Sequence, residues 1–128
     1  MDTKDYYRLD MLNKSVIRVT EVRRGYAKGR LDIQPEILNA HGFVHGGALF
    51  ALADTVAGAC AQATGKSVVT MSGDINFLRP GIHGNLICEA HEMTSGRTIG
   101  VYRTEVTDED GKILCIATFT MHTVVKKD

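Results

Sequence analysis

The stretch between Glu36 and Lys66 constrains the chain most: its 29 residues carry a single formal charge, Asp54. At the chain's overall usage of 23% Asp, Glu, Lys and Arg, such a stretch would hold about seven. From Ala48 to Ala63 the sequence is rich in Ala and nearly all apolar, long enough for about four helical turns and too long for an ordinary strand. A helix that is apolar on almost every side has to be wrapped by other structure. It does not read as a membrane span, because Asp54 sits mid-segment, Gln62 and Thr64 are polar, and alanine and glycine add little hydrophobicity. Gly65 supplies a natural stop.

Around this helix the 128 residues read as one domain, residues 1–128, without repeats or linkers. Lys+Arg and Asp+Glu balance at 15 each, which argues against a nucleic-acid footprint carried by overall charge. Cys60, Cys88 and Cys115 are odd in number and widely spaced, so neither a disulfide framework nor a Cys-rich zinc site is expected. The N-terminus mixes both charge signs and lacks an apolar core, so no signal peptide is read and a cytoplasmic location is expected.

Asp5 to Leu12 reads as a short helix, and Ser15–Val22 and Tyr26–Ile33 as a hairpin turning at Arg24-Gly25. Pro35 to His45 is turn-rich and feeds the central helix. Beyond it, Val68–Leu78, Asn85–Met93, Thr98–Thr107 and Ile113–Val124 alternate as strands, with Ser95-Gly96 and Asp110-Gly111 as hairpin signals. The expected class is α+β, a mostly antiparallel sheet of five to six strands curled around one long helix. With helices on only one face, a sheet surface or edge should be covered by a partner subunit.

A carboxylate inside an apolar helix carries a desolvation cost unless it is hydrogen-bonded or beside a wet cleft, which makes Asp54 the first candidate for chemistry. At the helix entrance, His45-Gly46-Gly47 offers free N–H groups and the positive end of the macrodipole to a developing oxyanion. Asp54 lies roughly 10 to 13 Å further along the helix, too far for one carbonyl to meet both within one chain. Either the two do separate jobs, or the site joins the helix entrance of one subunit to the Asp54 of another. No metal is expected: His41 and His45 flank a loop and have no third ligand. Gly65-Lys66-Ser67 follows a helix where a phosphate loop would precede one, and no G-x-S-x-G elbow is present.

Asn39, then His45-Gly46-Gly47, then Leu52-Ala53-Asp54 on the helix, then the strand from Ser72 to Pro80 resemble the hotdog-fold acyl-CoA thioesterases of the PaaI type. The resemblance implies a curved antiparallel sheet around a central helix, homodimers that assemble into homotetramers, an acyl-CoA substrate and no cofactor. It implies catalytic roles for Asp54 as general base or nucleophile and for the Gly46 N–H as the carbonyl-polarising donor. Asn39 would assist positioning, and Ser72 would orient the attacking water. His45, Gly47, Phe50, Phe77 and Arg79 form the substrate-binding set, with His45 in a loop-orienting role. Phe50, Val56 and Phe77 would shape the acyl pocket, and Lys66, Arg79 and Arg97 are candidates along the coenzyme A route. A hydratase or dehydratase acting on acyl thioesters, and a non-catalytic acyl-CoA-binding domain, are the alternatives. The dehydratase pattern His-Phe-Pro is absent from the loop.

Overall fold

The computed structural model describes residues 17–124, so the helix expected at Asp5–Leu12 lies outside the described residues. Strands β1 (Ile17–Arg23) and β2 (Tyr26–Asp32) form the expected hairpin, closed by Gly25 at a φ of 81°. A short 3-10 turn, Pro35–Ile37, leads through a loop into α1 (Gly46–Ala61). Strands β3 (Val68–Phe77), β4 (Asn85–Ser95), β5 (Ile99–Thr107) and β6 (Ile113–Thr123) complete one antiparallel sheet in the order β1-β2-β4-β5-β6-β3. The chain thus leaves β2, runs α1 across one face of the sheet, and returns in β3 at the far edge.

The helix begins two residues earlier than its composition suggests, because glycine is tolerated in a first turn held by a cap at His45. Leu49, Leu52, Ala53, Val56, Ala57 and Cys60 are buried, the three-four spacing of one helical face. They pack on Leu31, Leu86, Cys88, Val106, Ala117 and Phe119 from the strands. The alternative stripe of Ala51, Asp54, Thr55 and Gly58 stays half-exposed, so a single chain's sheet covers the helix incompletely. Val56, expected in the acyl pocket, is instead sealed in the core over Gly29, where an added Cβ would stand 2.5 Å from its side chain.

The two sheet edges differ. β1 is seven residues long, carries Arg18, Glu21 and Arg23, and is broken by a bulge between Val19 and Glu21, which blunts it against further pairing. β3 is ten residues long, and Val69, Met71 and Phe77 are each more than half exposed along it. No helix among the described residues is long and apolar enough to cross a membrane.

Candidate active site

The decisive local feature is a β-bulge in β3. Thr70 pairs with Met121 and Ser72 with Thr120, so one extra residue, Met71, is inserted between them. Before the bulge Thr70 faces the helix; after it, Gly73 and Ile75 do. Thr70 Oγ1 donates a hydrogen bond of 2.6 Å to Asp54 Oδ1. Asp54 Oδ2 has no partner among the described residues, leaving one carboxylate oxygen pinned and the other open. Ser72, expected to orient water, pairs with Thr120 and projects from the opposite face of the sheet, away from Asp54. The hydroxyl beside Asp54 is that of Thr70. Simple alternation puts Thr70 and Ser72 on one face; the inserted Met71 separates them, and Ser72, the hydroxyl the resemblance implies, turns away.

At the entrance to α1, the loop is locked on three sides. His45 N–H donates to the Ile37 carbonyl at 2.8 Å, Val44 N–H to Gly81 at 2.8 Å, and Leu38 bridges Val44. Asn39 shapes the turn from within: its Oδ1 accepts the N–H groups of His41 at 2.9 Å and Phe43 at 3.1 Å. Its Nδ2 has no acceptor among the described residues, and Asn39 borders a cleft of about 320 Å³. That cleft is lined by Asn39, Gly46, Leu49, Phe77, Leu78, Arg79 and Pro80, together with Phe43 and Val44.

Of the first-turn donors, the Ala48 and Leu49 N–H groups reach the His45 carbonyl at 2.9 and 3.2 Å, and the Gly47 N–H reaches His45 Nδ1 at 3.0 Å. Gly46 N–H alone has no acceptor among the described residues. The Phe77 ring lies against Gly46, 3.3 Å from where a Cβ would stand, so glycine permits this close approach. Phe50 stacks edge-on against Phe119 at 5.4 Å between centroids, nearer the Asp54 end. The structure therefore gathers Asn39, Gly46, Phe77 and Arg79 around one cleft, does not bring His45, Gly47 or Phe50 into its lining, and leaves Asp54 with Thr70 further along the helix.

Arg79 Nη1 donates to the Ile113 carbonyl at 2.8 Å, and the residue borders both this cleft and a neighbouring cavity whose lining mixes His83 and Lys112 with Asp108, Glu109 and Asp110. Lys66 Nζ donates to the Gly96 carbonyl, tying the start of β3 to the β4–β5 turn. The cysteines are poor candidates for nucleophiles: all three are buried, and burial pushes the thiols of Cys60 and Cys115 up to about 11 and that of Cys88 well above its ordinary value.

Residues 41–115 match the family model of the thioesterase superfamily. The chain belongs to that superfamily. It has the hotdog fold of a thioester hydrolase, as the sequence motifs lead one to expect. Over 101 residues it is 32% identical to the acyl-coenzyme A thioesterase PaaI of Escherichia coli, covering 78% of this chain and 72% of the relative. The solved structure of E. coli PaaI superposes with a TM-score of 0.92 at 28% identity, covering 97% of this chain and 91% of that one. A Streptococcus mutans protein solved with bound acetyl-CoA superposes with a TM-score of 0.82 at 30% identity, over 88% of this chain and 91% of that one. A hypothetical thioesterase of Streptococcus pneumoniae, 28% identical with a TM-score of 0.82 over 88% of this chain and 93% of that one, has been solved as an Asp→Ala and a Thr→Ala variant. The two varied positions are 16 apart in that chain, the separation of Asp54 and Thr70 here.

Proposed function

We propose that this superfamily member hydrolyses acyl-CoA thioesters, with Asp54 as general base or nucleophile and the Gly46 N–H as donor to the thioester oxygen. The observation that carries the reading is the half-pinned carboxylate: Thr70 fixes Asp54 Oδ1, and Oδ2 has no partner among the described residues. A thioester is already activated, so it needs an oriented water, removal of one proton and a partner for the oxyanion. In the reaction the water oxygen bonds to the acyl carbon and the carbon–sulfur bond breaks. The proton taken by Asp54 passes to the departing thiolate of coenzyme A. Direct attack by Asp54, giving a mixed anhydride that water then opens, reaches the same products.

Gly46 and Asp54 stand eight residues apart on one helix, about 12 Å along its axis. The reading therefore has β3 pair with β3 of a second copy about a two-fold axis, so that the helix entrance of one subunit faces Asp54 of the other. Two such dimers would form the homotetramer. Phe77, Leu49, Leu78 and Pro80 give the cleft apolar walls suited to an acyl group, and Arg79 is placed to meet a coenzyme A phosphate. Three buried free thiols fit an enzyme of a reducing cell interior.

Release of free thiol from a panel of acyl-CoAs tests this. Asp54→Asn should lower kcat by about 10²- to 10⁴-fold on the best substrate while binding is largely kept. An undiminished rate in that variant would remove Asp54 from catalysis. Binding of acyl-CoA by the parent without any hydrolysis would favour a binding domain instead.

A further inference from the structure

We infer that His45 is a positioning residue that selects which backbone N–H of α1 receives the thioester oxygen. The inference rests on the thioesterase reading and gives the histidine a role within it. A helix begins with four N–H groups lacking intrahelical partners, and in principle any of the first few could meet an incoming oxygen. Here the four are those of His45, Gly46, Gly47 and Ala48: the His45 N–H goes to the Ile37 carbonyl, its own carbonyl takes the N–H of Ala48, and its ring Nδ1 takes that of Gly47. The Gly46 N–H is what remains, bordering the cleft with Asn39 and Phe77.

The ring has to carry its proton on Nε2 to do this, since Nδ1 accepts only when it is unprotonated. Glycine at position 47 suits this close approach, because a Cβ there would stand 3.2 Å from Nδ1 and press on the ring. The backbone of His45 is equally fixed, through its N–H on the Ile37 carbonyl and an extended φ of −59° and ψ of 134°. Asn, Asp, Ser and Thr are the usual side chains at this capping position. The histidine is thus not needed for its ring chemistry: any short acceptor reaching the Gly47 N–H would leave Gly46 as the free donor.

Two variants at position 45 separate positioning from direct catalysis. In His45→Ala the Gly47 N–H is released, water or substrate can occupy it, and the first turn frays. The expected result is a loss of about tenfold in kcat with KM nearly unchanged. In His45→Asn the side-chain Oδ1 replaces Nδ1 as acceptor but supplies no counterpart of Nε2–H, and kcat should stay within about threefold of the parent. Thermal melts establish that both variants are folded at the assay temperature. An Asn variant as impaired as the Ala variant would overturn the positioning role and make His45 a group that touches the reacting atoms. In the parent, imidazole ¹⁵N spectra should show His45 with Nδ1 bare and Nε2 protonated; the opposite tautomer also overturns it. A parent that releases no thiol from any acyl-CoA would sink the thioesterase reading itself, a result distinct from active parent enzyme with a failed Asn rescue.

Discussion

On the proposed reading a carboxylate attacks or takes a proton through one well-presented oxygen, and the Asp54 side chain is held by a single hydroxyl, that of Thr70. The 2.6 Å bond from Thr70 is charge-assisted and commits Oδ1, so Asp54 cannot swing freely about its side-chain bonds. The same hydroxyl lies 3.3 Å from Met121 Sδ, which limits its own rotation. Thr70→Ala removes the orienting bond without changing the base, and about a tenfold loss of kcat is expected, smaller than the loss in Asp54→Asn. Thr70→Ser retains the hydroxyl and should recover most of the rate. Steady-state kinetics on one acyl-CoA substrate compare the two. An Ala variant as active as the parent would mean that Asp54 is oriented by something other than Thr70.

Thr70 reaches Asp54 because β3 carries an extra residue, and that element shows where the sequence is legible and where it is not. The alternation of Val68 to Leu78 identifies a strand, and the Ala-rich stretch identifies the helix, because both signals follow the chain's own period. The bulge at Met71 changes the phase of that period without changing the residue types, so Thr70 and Ser72, which simple alternation puts on one face, end on opposite faces. The same limit hides Val56: a helix apolar all round gives no phase from which to tell pocket from core, and only Gly29 opposite it decides the matter. Asp54 and Gly46 stand out as candidates because a lone charge in an apolar helix and a glycine pair at a helix start each have a local physical reason, whereas Asn39 enters only through the motif that resembles the thioesterase family. The strand's close fit beyond the bulge is testable at Gly73. A Cβ there would stand 2.7 Å from the fully buried Phe119 ring and 3.1 Å from Phe50. Gly73→Ala should cost about 1 to 3 kcal/mol through overpacking, lowering Tm by several degrees. An unchanged melting temperature would show that β3 is not held this tightly against the helix side of the sheet.

At the scale of the whole molecule, the question is whether one chain contains a complete site. The Gly46 N–H and the Asp54 oxygen that have no partner among the described residues are separated by more than one thioester can bridge, and no described strand pairs with the outer edge of β3, which carries apolar side chains. A shared site makes a prediction that a single-chain site cannot imitate. Gly46→Pro removes the donor and also sets its ring against Phe77, which lies 3.3 Å from where a Cβ would stand and has to give by a few tenths of an ångström; proline is otherwise well tolerated at the first helical position, and His45 already has the extended backbone that a following proline requires. This variant should fold and lose about 10²- to 10³-fold in kcat. Mixed and allowed to exchange subunits with Asp54→Asn, it should regain activity. In a mixed dimer the intact Gly46 of the Asn chain faces the intact Asp54 of the Pro chain, and the other site carries both lesions. Random exchange of equal amounts puts about half the dimers in the mixed state with one working site of two, so recovery should approach about a quarter of the parent rate. If both sites were confined to single chains, no mixture would exceed the average of its two inactive parents, and the rate after exchange would stay flat.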